Sequence, residues 1–265
     1  MQTTHARSRR HRHHGPVASI GAVAIALVAL ASGAMRCTAS GAPSFPEPES
    51  LVGIGPAFPK VGRPLAFREV LSGPEILDIQ EQSAALERVV AWDLGRRRVA
   101  GGSAPERLFT AFWWGEPLAT LGVRPLLGRT FLAEELAGRA KVAMLSERVW
   151  RRLFAGDPGV IGKTVQVEDE AHTLIGILPA AVTVHDTDLW LPMWAPATGL
   201  PRERRQFQIL ARLRPGTTLA ALEVELSEIA RRIEDAHVAT RPEYAGWRLE
   251  ARTWEDIVAE HSSAR

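Results

Sequence analysis

The chain has 265 residues, of which 46% are hydrophobic and 23% are charged, and these proportions are ordinary for a globular protein. Five arginines precede Glu47, so the rest of the chain has a net charge of about −3, which excludes the basic stripe of a nucleic-acid-binding domain. The single cysteine, Cys37, excludes an internal disulfide bond, so the core alone must stabilise the fold.

Residues 16–35 contain no charged side chain and, at ~1.5 Å per helical residue, are long enough to span the ~30 Å hydrocarbon core of a bilayer. Arg7, Arg9, Arg10 and Arg12 come before them, with no acidic residue. The positive-inside rule therefore predicts that residues 1–15 are a cytoplasmic basic leader, that residues 16–35 form a transmembrane helix, and that the remainder is exported.

The same segment also fits a cleaved secretory signal, because it is only weakly apolar and seven of its residues are alanine. Its apolar run includes Ala29-Leu30-Ala31, a small-residue pattern typical of a cleavage site. Lipid modification of Cys37 is disfavoured, since the bulky Arg36 stands where a lipoprotein signal needs a small residue. Each alternative places the bulk of the protein outside the cytoplasm.

Proline content predicts the next boundary. Six prolines between Ala42 and Pro64 indicate that residues 36–64 form an extended linker away from the membrane. We therefore expect the folded domain to occupy residues 65–265. That length is sufficient for one large domain or two small ones.

The first half of this domain is predicted to combine helices with short strands. A helix is expected from Ser72-Gly73-Pro74, because proline favours an early helical position and the apolar residues that follow have helical spacing. Two short strands, at residues 89–92 and 97–100, would be joined by a turn at Asp93-Leu94-Gly95. The other elements expected here are a buried strand at residues 107–113, a short helix at residues 116–121 and a loop at residues 121–131.

In the second half, a strand at residues 141–145 leads to a helix that Ser146 is placed to cap. That helix has an apolar stripe opposite three arginines, and we interpret the arginines as a solvated face, a binding site being the alternative. A hairpin at residues 164–178 would turn near Asp169-Glu170. The further elements expected are an extended piece at residues 188–192, a loop at 196–205, a strand at 207–213, a helix with Leu219, Leu222, Leu226, Ile229 and Ile233 on one face, and a last strand at 247–251. Because strands and helices alternate without a regular βαβ repeat, we predict an α+β fold.

One stretch, residues 156–164, resembles a phosphate-binding loop because it ends in Gly162-Lys163-Thr164. The glycine that such a loop needs five residues before this triplet is replaced by Asp157, and Gly156 is one residue too early. The predicted order is also helix, loop, strand, so no helix N-terminus would face a phosphate. We therefore predict no nucleotide site.

Other polar residues suggest hydrolase or metal chemistry only weakly. Ser146 with His172 or His185 could be drawn as a triad, but the serine lacks the flanking glycines of a nucleophile elbow. His185, Asp186 and Asp188 lie close in sequence, but no second histidine or cysteine stands at ligand spacing. We therefore predict no catalytic, cofactor-binding or metal-binding residue, and expect that the chain is not an enzyme.

Seven blocks of sequence follow one another in a recognisable order. They are residues 124–131 (RPLLGRTF), 142–146 (VAMLS), 150–154 (WRRLF), 156–164 (GDPGVIGKT), 175–179 (IGILP), 188–192 (DLWLP) and 211–219 (ARLRPGTTL). Together they resemble the periplasmic core domain of MacB-like ABC transporter permeases, and most of all the FtsX-type permeases that lack an ATPase subunit of their own. Residues 45–52 (FPEPESLV) resemble the family's link from its first membrane helix.

The resemblance implies a two-part α+β domain, with a part like the porter domains of efflux pumps and a smaller inserted part. Together with the one apolar segment at residues 16–35, it implies a single-pass protein of the bacterial inner membrane whose main domain lies in the periplasm. In such permeases this domain stands between the first and second of four membrane helices, binds partners or cargo and transmits motion driven by ATP hydrolysis. The implied partners are a permease membrane subunit and a cytoplasmic ATPase, without nucleic acid or cofactor.

The chain departs from the family pattern at Arg265, where the remaining membrane helices are expected to begin. One weak helix cannot form a pore, because every spanning backbone must be covered. The sequence thus predicts a membrane-tethered module that is either a split subunit or a truncated permease. The alternative is a free-standing exported binding module released by signal cleavage.

Overall fold

The structure is a computed structural model, and it describes residues 45–57, 70–101, 104–138, 140–180, 182, 186–193 and 199–263. The predicted leader, the predicted transmembrane or signal segment at 16–35, Cys37 and His185 lie outside these residues. Within the described part of the chain, no helix is both long and apolar enough to cross a membrane.

Eleven strands form one sheet, with helices packed on it. The strands are β1 (Leu51–Ala57), β2 (Leu71–Ser72), β3 (Leu86–Ala100), β4 (Glu106–Trp114), β5 (Leu127–Gly128), β6 (Val142–Ser146), β7 (Thr164–Val167), β8 (Glu170–Leu178), β9 (Leu189–Pro192), β10 (Arg205–Leu213) and β11 (Arg248–Thr253). The helices are α1 (Gly73–Gln82), α2 (Pro117–Leu121), α3 (Ala133–Ala137), α4 (Glu147–Phe154), α5 (Leu219–His237) and α6 (Trp254–Ser263). Strand pairs are both parallel and antiparallel, so the fold is mixed, in agreement with the predicted α+β class.

Four strands and two helices form a β-α-β-β-α-β unit, which we name the ferredoxin-like part. Its elements in chain order are β1, α1, β3, β10, α5 and β11, and its strands lie in the order β11-β1-β10-β3 with every neighbouring pair antiparallel. This is a ferredoxin-like supersecondary arrangement. The segment from β4 to β9, which we name the inserted part, connects β3 to β10, and the pairing of those two strands extends to Trp92 opposite Gln208.

The strands of the inserted part pair with one another and with the second half of β3 in a closed ring. Around this ring β3 pairs with β4, β4 with β9, β9 with β6, β6 with β8 and β8 with β7. β7 then returns to β3 through Val99 opposite Val167. All six strands contribute to a single buried apolar cluster, to which α4 adds Val149. Because the ring is closed, its strands offer few free edges.

β3 corrects one prediction. The expected turn at Asp93-Leu94-Gly95 does not exist, because β3 runs without interruption from Leu86 to Ala100. Asp93 accepts hydrogen bonds from the backbone N–H of Leu94 at 2.7 Å and from Gln206 at 3.2 Å, so its carboxylate links β3 to β10. A Cβ on Gly95 would lie 3.2 Å from the Arg97 guanidinium, so the glycine makes room for the Arg97–Phe112 stack.

β1 corrects a second prediction. Residues 51–57 are not linker but a fully buried strand between β10 and β11. Pro56 is tolerated because pairing with β10 ends at Ile54, so at Pro56 the strand has β11 as its neighbour on one side only. Pro56, one of the prolines that suggested a linker, therefore belongs to a strand of the sheet.

Two apolar cores cover opposite faces of the ferredoxin-like part. On one face α1 and α5 pack through Ile76, Ile79, Leu226 and Ile229, as their helical spacing predicted. The N-terminus of α1 is fixed by a capping box between Ser72 and Glu75. Burial of each such side chain contributes about 1.5–3 kcal/mol.

The opposite face is built around tryptophans. Trp92, Trp113 and Trp190 are fully buried, and their ring centroids are separated by 5.0 Å and 4.6 Å along the row. The same cluster contains Phe45 and Trp254. Tryptophan thus serves as the large apolar anchor of this core.

Most of the other predicted elements are confirmed. The buried strand β4, the short helix α2, the strand β6, the hairpin of β7 and β8, the helix α5 and the last strand β11 lie within a few residues of their predicted positions. The final helix α6 was not predicted from the sequence. It packs Trp254 and Ile257 into the protein.

Candidate functional site

Ser146 and His172, two of the residues that suggested a hydrolase, are not brought together. Ser146 accepts a hydrogen bond from the backbone N–H of Val149 at 3.3 Å and donates one to Asp188 at 2.9 Å, so it caps α4. It is paired with Leu178, six residues along β8 from His172, which corresponds to roughly 20 Å. His172 is buried, and burial lowers its pKa from the ordinary value. Ser146 and His172 therefore cannot act on one bond.

The loop that resembles a phosphate site is occupied by its own carboxylate. Asp157 accepts hydrogen bonds from the backbone N–H of Gly159 and from Lys163, both at 2.8 Å. These contacts, with the Lys163 contact first, lower the pKa of Asp157. The lysine that would bind a phosphate is therefore engaged within the loop.

The arginines of α4 and the acidic residues near β9 form ion pairs. Arg148 contacts Asp188, Arg151 contacts Glu147 and Arg152 contacts Glu106, at 2.8, 2.6 and 2.7 Å respectively. All three arginines are exposed, which supports the interpretation of a solvated face. Within the described ranges no three histidine, cysteine or acidic side chains are grouped as a metal site requires.

The feature that stands out is a junction where both ends of the described chain meet, which we name the terminal junction. The ring of Phe45 lies 5.1 Å from the ring of Trp254, centroid to centroid. The chain enters β1 at Leu51 and leaves β11 at Thr253, and Thr253 is paired with Val52. The segments before β1 and after β11 therefore start from the same end of the sheet.

Arg212 fixes the N-terminal side of this junction. Its side chain is buried, although it carries a charge. The guanidinium donates to the carbonyl oxygen of Thr120 at 2.8 Å, to that of Pro46 at 3.2 Å and to the hydroxyl of Ser50. One side chain of β10 thus holds both the segment before β1 and the end of α2.

The charge of Arg212 persists despite its burial. Burial lowers the pKa of this guanidinium, and the carboxylates of Glu47, Glu87 and Glu49 oppose that shift. Arginine is not deprotonated in proteins, so the side chain keeps all of its donors. Arg212 belongs to one of the sequence blocks that resemble the family, but the sequence assigned it no role. Its role could be found only from the structure.

A second polar cluster holds the helical face together. Glu75, fully buried, accepts hydrogen bonds from Arg205 at 2.6 Å, from the Tyr244 hydroxyl at 2.7 Å and from the backbone N–H of Ser72 at 2.7 Å. Burial, followed by the Glu75 contact, raises the pKa of Tyr244. The cluster joins α1, the start of β10 and the turn before β11. Its groups satisfy one another, so it is structural.

Comparison with known proteins agrees with this architecture. A sequence model described as the MacB-like periplasmic core domain matches residues 19–229. The chain belongs to this family. The match covers most of the MacB-like domain, including β1 and the inserted part.

Curated relatives share only a segment with the chain. The macrolide export ATP-binding/permease protein MacB of Burkholderia thailandensis is 27% identical over 112 residues, and that of Burkholderia pseudomallei is 24% identical over the same length. The aligned segment is 41% of this chain and 17% of each relative. The MacB-like domain therefore spans only a small part of the curated relatives it matches.

Solved structures share the fold. A domain of a putative permease from Porphyromonas gingivalis has a TM-score of 0.56 at 21% identity, covering 79% of this chain and 93% of that one. The periplasmic region of MacB from Actinobacillus actinomycetemcomitans has a TM-score of 0.56 at 14% identity, covering 80% and 92%. The extracellular domain of the noncanonic ABC-type transporter YknZ from Gram-positive bacteria has a TM-score of 0.53 at 12% identity, covering 77% and 100%.

Proposed function

We propose that the chain acts as the periplasmic domain of a MacB/FtsX-type ABC transporter permease, in partner or cargo binding and mechanical coupling rather than catalysis. Residues 16–35 anchor it as a single-pass protein in the bacterial inner membrane. Its partners are the permease membrane subunit and a cytoplasmic ATPase. The family, the fold and the junction of the two chain ends support this proposal.

The terminal junction is the observation on which the coupling role rests. A domain moved by membrane segments must receive force where the chain enters and leaves it. Both points lie at one end of the sheet, and Arg212 joins the N-terminal one to β10 and α2. Displacement of the segment before β1 would thus reach the sheet directly rather than through a flexible linker.

A tagged full chain, purified from membranes of its own bacterium in mild detergent, tests this proposal. We expect a permease subunit and an ATPase to co-purify, and we expect ATP with vanadate to change amide hydrogen exchange at residues 46–52. The exposed face of α5 is the internal control, and its exchange should not change. Absence of the two partners would reject the working assembly, and unchanged exchange at the junction would reject coupling.

The alternative is a free-standing exported binding module, which the small-residue pattern Ala29-Leu30-Ala31 favours. Mass spectrometry of the mature N-terminus separates the two. An intact N-terminal end supports the anchored module, whereas a new N-terminus after Ala31 or Ala39 supports release.

A further inference from the structure

Three exposed arginines lie together where β3 and β4 run side by side beyond the tryptophan core. Arg96 is paired with Phe109, and Arg98 is paired with Arg107. Because side chains alternate along a strand, these four residues lie on one face of the sheet. We name Arg96, Arg98 and Arg107 the arginine patch.

The patch carries charge that its surroundings do not neutralise. Among the described residues, Arg96 and Arg107 form no ion pair, and the Arg96 guanidinium instead lies 5.6 Å from the centre of the Phe109 ring. Arg98 contacts Asp169 at 3.2 Å, but the Asp169 side chain is 94% exposed, so this pair is weak. Like charges directly opposite on neighbouring strands, as at Arg98 and Arg107, are unfavourable.

Two nearby carboxylates are engaged by other groups, whereas a third, Glu168, lies at the patch and offsets part of its charge. Asp188, which precedes β9 and whose backbone N–H donates to the carbonyl oxygen of Phe109, is held by Ser146 and Arg148. Glu106 points to the other face and pairs with Arg152. Glu168 accepts the backbone N–H of Arg98 at 3.0 Å. Three arginines held together in this way form a positive surface that favours the binding of a negatively charged group of another molecule.

The position of the patch selects the kind of partner. Arg88 lies near the terminal junction, being paired with Arg212, and Arg98 lies ten residues further along the same continuous strand. At about 3.3 Å per residue, the patch is therefore roughly 30 Å from the end of the sheet where both chain ends emerge. If that end faces the membrane, as the proposed function requires, lipid headgroups are beyond reach of the patch.

We propose that Arg96, Arg98 and Arg107 form a docking surface for an acidic segment of a partner protein on the side of the domain away from the membrane. The choice of a protein over a lipid rests on the proposed function, whereas the anionic specificity rests on the patch alone. Phe109 supplies an apolar base against which Arg96 stacks. The patch extends along two strands, so it matches an extended peptide segment better than a compact ion.

Binding of labelled deca-glutamate to the purified full chain in detergent, followed by fluorescence anisotropy, tests the surface. We expect salt-sensitive binding that weakens about fivefold or more in R96A/R107A and that persists in R96K/R107K, because the charge is retained. R232A/R248A removes the same number of exposed arginines from other surfaces and should change binding less than about twofold. Equal weakening by the two alanine pairs would overturn the patch.

Two further probes test the class of partner. Binding of phosphatidylglycerol vesicles or of inorganic phosphate should be the same in R96A/R107A as in the unchanged protein. Vesicle binding that is lost in R96A/R107A, in the absence of peptide binding, would overturn a protein partner in favour of a lipid. Since neither assay requires the permease or the ATPase, failure of the docking surface is distinguishable from failure of the coupling proposal.

Discussion

The Arg212 guanidinium donates a hydrogen bond to the carbonyl oxygen of Thr120 at 2.8 Å, and this contact joins β10 to the end of α2 beneath the N-terminal segment. The same guanidinium reaches Pro46 and Ser50. Since Thr120 is fully buried, water cannot readily replace Arg212 as the donor to its carbonyl oxygen. Arg212 is thus the residue through which the N-terminal segment is attached to the sheet.

Replacing Arg212 by Met should loosen this attachment. We expect a loss of about 1–3 kcal/mol in the free energy of unfolding, because the buried carbonyl of Thr120 becomes unsatisfied. Urea denaturation measures the loss, and hydrogen exchange should show faster exchange at residues 47–52 than elsewhere. Arg214→Met, on the exposed neighbouring arginine, is the control and should leave both measurements nearly unchanged. If the backbone amides of residues 47–52 exchanged as slowly in Arg212→Met as in the unchanged protein, the role assigned to Arg212 would be contradicted.

Glu75→Gln should destabilise the helical face, because it leaves the Arg205 charge without its carboxylate partner in a largely buried site. We expect a loss of about 3–5 kcal/mol in unfolding free energy. The double variant Glu75→Gln/Arg205→Met should lose less than the sum of the single variants, since it also removes the uncompensated charge. Additive losses in urea denaturation would argue against a coupled pair. The exposed pair of Glu228 and Arg231 offers a control whose removal should not shift the unfolding midpoint.

His172 should make stability depend on pH. Burial lowers its folded-state pKa from the ordinary value of 6.5, so below that pH the unfolded chain binds a proton that the folded chain resists. Stability therefore falls as pH decreases through about 6.5 and keeps falling until the folded-state pKa is reached. His172→Phe should flatten this part of the stability curve, as measured by urea midpoints across pH. His237→Asn, which removes a second histidine with a lowered pKa, should flatten it additively. An unchanged slope in both variants would show that neither histidine is responsible.

Gly128→Ala should be far more damaging than Gly216→Ala. Both glycines have positive φ, 77° and 82°, which strains any other residue by about 1 kcal/mol or more. A Cβ at residue 128 would also lie 2.2 Å from the Ile175 carbonyl oxygen, whereas residue 216 has open space. We expect a thermal midpoint that is markedly lower for Gly128→Ala and only slightly lower for Gly216→Ala. Similar midpoints would mean that the β5–β8 edge yields to the added methyl group.

The sequence predicts the helices α1 and α5 better than the strands β1 and β3. α1 and α5 follow from apolar spacing and, at α1, from Ser72 and Pro74, because a helix depends on local periodicity. The sequence predicts two strands in place of β3 because Asp93 and Gly95 are typical turn residues. In the structure the Asp93 carboxylate accepts a hydrogen bond from Gln206. Gly95 is small and leaves space for Arg97 and Phe112. The sequence predicts a linker at β1 because prolines are frequent there. Pro56 fits into the strand because pairing with β10 ends at Ile54, and the end of that pairing is not visible in sequence.

The candidate site was less predictable than the fold. The separation of Ser146 from His172 and the contact between Asp157 and Lys163 are seen only in the structure, whereas the sequence argument relied on spacing and chain order. Arg212 and the arginine patch depend on register between strands that are distant in sequence, as at Arg98 and Arg107. Such pairing is a tertiary property, and no local pattern encodes it.

Trp92 and Gln208 lie opposite each other on adjacent strands, so the long excursion between them starts and finishes at neighbouring points. Exchange of the whole excursion would nevertheless disturb the elements on either side, because Trp113 and Trp190 pack in a row with Trp92 and α2 is bonded to Arg212. The outer ring of strands has an apolar cluster of its own around Val149. Hybrids between homologous proteins should therefore be built by replacing loops of that ring rather than the entire excursion.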